Sequence, residues 1–191
     1  MTHRPAGQAA TLALAALLAA CAPAPPRSGA LLATVPGVDL ARYEGRWFEI
    51  ARYPNRFQSQ CAGDVTATYA RRADGTIDVV NACRRSDGTQ DVAKGVARVV
   101  DPATNAKLEV RFAPEALAWL PVVWGDYWIL ALDPAYRYAL VGEPSREYLW
   151  ILSRSATLPE DDFARLADAA RRAGYDPSRL QRTPQGARAP S

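Results

Sequence analysis

The sequence predicts an all-β protein: an eight-stranded up-and-down antiparallel β-barrel with one C-terminal α-helix packed on the outside. Three observations carry this. Eight stretches rich in aromatic and β-branched residues follow one another between residues 45 and 154, joined mostly by short turn sequences rather than helical crossovers. The first opens on a glycine and carries a tryptophan in need of a partner, and the last ends in an arginine able to cover that ring. Only after the last strand does the apolar period lengthen to that of a helix. Eight antiparallel strands can close on themselves, removing both edges and leaving room inside for one small ligand; strand periodicity leaves a two-sheet sandwich open as the other architecture.

Composition narrows the function classes. With 191 residues, 49% apolar and 23% charged, the chain suits one folded domain with appendages. The net charge of +3 becomes +2 without Arg4, and Lys94 and Lys107 are the only lysines. So balanced a surface does not favour a polyanion, and no nucleic-acid partner is expected. His3 is the only histidine and sits in the N-terminal leader, so a mature chain would lack His-dependent triads and His-ligated zinc or haem. No cofactor or metal is expected.

Met1 to Arg4 is a short positive segment, and residues 9–20 form an apolar run too short to span a bilayer as a mature helix. With Leu18-Ala19-Ala20-Cys21 behind it, the run reads as an export signal over residues 1–20. Leu-Ala-Ala-Cys resembles a bacterial lipobox, which implies that Cys21 becomes a lipidated N-terminus; an ordinary secretory leader that happens to contain a cysteine is the alternative. Ala22 rather than Asp follows, and by the same resemblance this implies an outer-membrane destination. Residues 21–37, with Pro23, Pro25, Pro26 and Pro36, read as a Pro-rich tether. The folded domain is expected over residues 38–184.

Asp39-Leu40-Ala41-Arg42-Tyr43 reads as a 3₁₀ turn ahead of the first strand, residues 45–53, which Pro54-Asn55 ends. Gly45 allows a close approach to something bulky. The buried indole of Trp47 needs an acceptor for its N–H and a partner for its ring, and Arg154 placed over it would close one end of the barrel. Asp74-Gly75 marks a hairpin between strands 65–72 and 76–84. Three cysteines leave one unpaired, and lipidation of Cys21 would leave Cys61 and Cys83 as a possible pair. If partners' numbers sum to about 150, however, Cys83 faces Ala67, so the chain near Cys61 would have to curl back; two separate buried thiols are the alternative.

Strands follow at 90–100, 106–112, 127–133, 137–142 and 147–154, separated by Asp-Pro, Asn and Gly-Glu-Pro-Ser turn material. Pro159-Glu160-Asp161-Asp162 then starts a helix, with acids at its positive end, an apolar face of Phe163, Leu166, Ala167, Ala170 and Ala173, and Gly174 as its stop. The small alanines suit a helix lying close against the barrel wall. A short edge strand near Leu180 and a disordered tail over residues 185–191 complete the chain.

The ordered set of a Gly-x-Trp first strand after a short turn, Trp-Ile-Leu-Ala-Leu-Asp at 128–133, Leu-Trp-Ile-Leu-Ser-Arg at 149–154 and one C-terminal helix resembles the lipocalins, nearest the bacterial outer-membrane, apolipoprotein D-like lipoproteins. The resemblance implies a structural role for Gly45, Trp47 and Arg154 at a closed end, and a ligand-facing role for Tyr69, Asn81 and Trp150. Tyr69 and Asn81 would be cross-strand neighbours under the register above. Glu49 points inward from the first strand or lies on the surface; inside, it needs an arginine or water beside it.

Residues 113–124 crowd Leu117, Trp119, Leu120, Val122, Val123 and Trp124 into a connection expected at the barrel mouth. A membrane lip, an inward lid and a homodimer contact all fit that composition. The expected function is that of an outer-membrane-anchored carrier of fatty acids or lysophospholipids, its domain facing the periplasm. A lipocalin-fold enzyme using a free cysteine and a structural envelope protein with a filled barrel are the alternatives.

Overall fold

The computed structural model describes Met1 and residues 31–186, so the expected leader, Cys21, the start of the tether and residues 187–191 lie outside the described residues. Eight strands wind up and down around a closed barrel: β1 (Gly45–Arg52), β2 (Cys61–Arg71), β3 (Ile77–Arg85), β4 (Gln90–Val99), β5 (Lys107–Arg111), β6 (Gly125–Leu132), β7 (Tyr138–Gly142) and β8 (Leu149–Ser153). Each pairs antiparallel with its neighbour, and β1 pairs with both β2 and β8, so the sheet has no seam. A two-residue β9 (Gln181–Arg182) lies on β1.

Both hairpins that open the meander share one turn chemistry, Arg-x-Asp-Gly-Thr at 72–76 and 85–89. In each, the Asp carboxylate accepts the Thr amide at 2.9 Å and the Gly takes a left-handed φ, +84° at Gly75 and +83° at Gly88. Arg72 and Thr76 close the first turn around three residues rather than two. This corrects the expected register. Partner numbers on β2 and β3 sum to 148, so Tyr69 faces Val79 and Asn81 faces Ala67; Tyr69 and Asn81 are diagonal neighbours on the same face.

β2 also begins four residues earlier than expected. Two register shifts, between Cys61 and Gly63 and between Gly63 and Thr66, bend its start and bring Cys61 to Cys83 in a disulfide with Cα atoms 5.6 Å apart. The two separate thiols are thereby excluded. The bond closes a loop of 22 residues. Cys61→Ser with Cys83→Ser is expected to lower stability by about 3 kcal/mol, read as a lower urea midpoint, with an m-value that rises as the unfolded chain loses its cross-link.

One apolar cluster fills the narrow end of the barrel, from Trp47, Ile77, Val79, Leu108, Ile129 and Val141 among others. A second lies outside, between the wall and α2 (Glu160–Arg172), where Leu140, Leu149 and Ile151 meet Leu166, Ala170 and Tyr175. Strict alternation along β7, Ala139 and Val141 inward and Leu140 outward, buries both faces of that strand.

Three expected boundaries move. The short segment before β1 is one α-helical turn, α1 (Leu40–Tyr43), because Asp39 caps it by accepting the amides of Ala41 and Arg42. The end of the expected tether belongs to the folded body: Leu32 is buried in the outer cluster and the Val35 amide donates to Ile129 O at 3.0 Å. Single anchors in a Pro-rich segment leave no periodic signal. At the other terminus, Gln185 Nε2 donates to Glu49 O and Val65 O, both at 2.9 Å, and the Gly186 amide donates to Asp64 Oδ1. β1 and β2 pair only between residues 45–48 and 66–69, and this C-terminal segment bridges the gap where they part.

Candidate functional site

The narrow end is shut by the first strand and the last. Trp47 is fully buried and its indole N–H donates to Tyr43 O at 2.9 Å. The Arg154 guanidinium stands 3.9 Å from the Trp47 ring centroid and donates to Arg46 O at 2.8 Å and Arg42 O at 2.7 Å. Gly45 holds φ +90°, and a Cβ there would sit 3.4 Å from an Arg154 Nη atom.

Above this floor the barrel holds a cavity of about 800 Å³, within the size range of small-molecule sites. Its wall is mainly apolar, with Ile77, Val79, Ala97, Leu108, Val110 and Leu152 from four strands. Inward positions recur at every second residue along each strand, which is why alternation in the sequence carries them. Tyr69, Asn81 and Trp150 all line this one cavity, at different heights.

Tyr69 belongs to the floor. Its hydroxyl lies 2.9 Å from that of Tyr127, which lies 2.9 Å from that of Tyr43. Burial holds all three phenols above the ordinary tyrosine range, with Tyr69 pushed up to about 12 and Tyr43 and Tyr127 also raised well above that range. The unfolded chain gives up these protons above pH ~10 and the folded chain retains them, so stability is expected to fall as pH rises from about 10 to 12, by ~1.4 kcal/mol per pH unit for each phenol. Urea midpoints at pH 9 and pH 11 check this, and Tyr43→Phe/Tyr69→Phe/Tyr127→Phe is expected to flatten the slope.

Asn81 stands higher on β3. Its buried Oδ1 has no hydrogen-bond partner, an unusual state for an amide oxygen out of water. Trp150, on β8, donates its indole N–H to Gln58 Oε1 at 3.1 Å. Beside it Glu49 is buried and lines the cavity, accepting from Arg52 Nη1 at 2.6 Å, Gln58 Nε2 at 2.7 Å and Thr183 Oγ1 at 2.5 Å. Residues three apart on a regular strand face opposite ways. A bulge between Glu49 and Ala51 turns Arg52 to the side of Glu49 and makes the pair possible.

The mouth has two apolar sides. On one, Phe57, from the turn Arg56–Gln58, packs on Tyr148 and Trp150 with centroids 5.2 and 6.2 Å away and is 51% exposed. On the other, residues 113–124 form two 3₁₀ turns held by Trp124, whose indole N–H donates to Ala118 O at 2.8 Å and whose ring carries the Arg98 guanidinium at 4.0 Å. Trp119 is 77% exposed and Val122 87%, so this segment is not an inward lid of extra core. At the rim, burial pushes the Asp126 carboxyl up, opposed by the Trp128 indole N–H it accepts at 3.2 Å.

Tyr43, Tyr127 and Gln58 are site residues that sequence reasoning missed. Tyr127 alternates with Ile129 on the inner face of β6, a signal that was there to be used; Tyr43 and Gln58 reach the cavity from short turns, which carry no such period.

The family model that matches residues 38–185 is described as a lipocalin-like domain. The chain is 46% identical over 153 residues to temperature-induced lipocalin-1 of Arabidopsis thaliana, covering 79% of this chain and 81% of that one. It is 37% identical over 173 residues to the outer membrane lipoprotein Blc of Escherichia coli (strain K12), covering 90% and 92%. Among solved structures, insecticyanin from the tobacco hornworm Manduca sexta superposes with a TM-score of 0.62 at 22% identity, over 81% of this chain and 84% of that one, and shares the fold.

Proposed function

The chain belongs to the lipocalin family, and on that premise we propose that it carries a fatty acid or a lysophospholipid in its barrel, anchored at the outer membrane through a lipid on Cys21. The single observation behind the ligand is the apolar cavity of about 800 Å³, closed at Trp47 and open at Trp150. An acyl chain of sixteen carbons that enters it exchanges water for hydrocarbon along its length, on the order of 10 kcal/mol gross, enough for micromolar binding after ordering costs. The polar group stays near Asn81, Gln58 and Trp150, where the Asn81 amide N–H donates to a carboxylate or phosphate and its unpartnered Oδ1 accepts from a hydroxyl such as that of a lysophospholipid glycerol.

The location draws its support from the relative named as an outer membrane lipoprotein and from the lipobox-like Leu18-Ala19-Ala20-Cys21. Exposed Phe57, Trp119 and Val122 suit a lip through which an acyl chain passes between a lipid surface and the cavity. A homodimer through the same lip is the competing reading, and the oligomeric state at binding concentrations separates the two. The open interior disfavours a filled structural barrel, and the Cys61–Cys83 bond takes both thiols of the domain away from a cysteine nucleophile.

Titration with a fluorescent fatty acid, and its displacement by hexadecanoic acid and by a lysophospholipid, tests this. Micromolar saturable binding is expected in the wild type. Trp150→Ala and Asn81→Ala are each expected to weaken it about tenfold while the fold survives; unchanged affinity in both would place the polar group elsewhere.

A further inference from the structure

The floor of the cavity is not purely apolar, and proton counting shows what it offers. Tyr43, Tyr127 and Tyr69 carry three hydroxyl protons, yet only two hydrogen bonds join them. None of the three hydroxyls has another protein partner among the described residues. Tyr127, in the middle, either passes one bond along or accepts from both sides. Whichever way the chain runs, one O–H is left over. All three tyrosines border the cavity, and Ile77 and Leu108 in the same cluster offer that proton no acceptor.

We propose that this surplus donor is a second polar subsite, which selects elongated apolar ligands bearing a neutral hydrogen-bond acceptor, a hydroxyl or a ketone, at the end that enters first. This inference rests on the acyl-carrier reading and deepens it: the head group is held at the mouth, and the oxygen on the tail is read at the floor. A carboxylate is the wrong partner for this end. One phenol cannot replace its hydration; Arg154 spends Nη1 and Nη2 on Arg46 O and Arg42 O behind the Trp47 ring, and Arg71, which borders the cavity, is paired with Glu44. A saturated tail, by contrast, leaves the phenol proton unpaired or bound to a trapped water. An oxygenated tail loses its own hydration on entry, and the surplus O–H restores that bond.

The test compares hexadecanoic acid with its ω-hydroxy derivative by displacement of a fluorescent fatty acid. The ratio of the two dissociation constants is measured in the wild type and in Tyr43→Phe/Tyr69→Phe/Tyr127→Phe, which removes every hydroxyl of the floor. The ratio is expected to shift about tenfold against the hydroxy acid in the variant. An unchanged ratio overturns the inference and leaves the carrier reading intact. Failure of both ligands to bind the wild type overturns the carrier reading and the inference with it. Should the triple variant not fold, the infrared carbonyl band of a bound fatty acid with a ketone beside its terminal methyl decides in the wild type alone. A shift to lower frequency than in hydrocarbon solvent supports the floor donor, and a band at the hydrocarbon position overturns it.

Discussion

Trp47→Ala is expected to lower the unfolding free energy by about 4 kcal/mol, in the range for deleting a fully buried tryptophan. Three losses coincide at this position. The indole leaves a void between the Tyr43 ring, 4.8 Å from its own, and cross-strand Ala67, the Tyr43 carbonyl loses its donor, and the Arg154 guanidinium loses the ring beneath it. Arg154→Ala is expected to cost less, about 2 kcal/mol, since it removes the cation–π contact and two bonds to carbonyls at a partly hydrated edge. Because each residue rests on the other, the double variant should cost less than the sum of the singles. Urea unfolding of the three variants gives all the terms. A loss below about 1 kcal/mol for Trp47→Ala would mean that the narrow end is not where the barrel is fastened.

How far the sequence reached follows from the range of the forces involved. Strands, turns and the outer helix were legible because their signals are local: two-residue alternation, Asp-Gly at the hairpins, acids at the start of α2 and Gly174 at its end. The pairing of Trp47 with Arg154, 107 positions apart, was legible only because each alone presented an unmet need, a ring and a donor on one side and a cation on the other. What escaped was set by single residues acting at a distance. A three-residue rather than two-residue turn at Ala73-Asp74-Gly75 moved the β2–β3 register and parted Tyr69 from Asn81. Bulges in β1 and β2, which no composition announces, turned Arg52 toward Glu49 and brought Cys61 to Cys83. The cavity's inner face was readable in part, because period two nominates alternate residues; the hydroxyl chain on its floor joins three elements, and adjacency of that kind has no sequence signature.

Filling the barrel should abolish carriage without unfolding the carrier. Ala67 and Ala97 both line the cavity, on β2 and on β4, and Ala97 faces Ile77 across the β3–β4 ladder. Ala67→Phe with Ala97→Trp turns two rings toward the cavity that both alanines line; because Ala97 is buried and Ala67 lies opposite Trp47, repacking around them is expected to cost about 1–3 kcal/mol, which the fold should survive with a somewhat lower melting temperature. An acyl chain then loses the deeper part of its path. Exclusion of only three methylenes removes about 2.4 kcal/mol, roughly a fiftyfold loss of affinity, and exclusion of more removes correspondingly more. Lys94→Trp is the matched control: Lys94 lies three residues from Ala97 on the same strand, is exposed, and should leave affinity unchanged. Fluorescent fatty-acid titration of the three proteins separates the two places a lipid can bind. If the filled barrel binds as well as the wild type, the ligand sits on the exposed apolar lip of Phe57, Trp119 and Val122, and the interior is not its site.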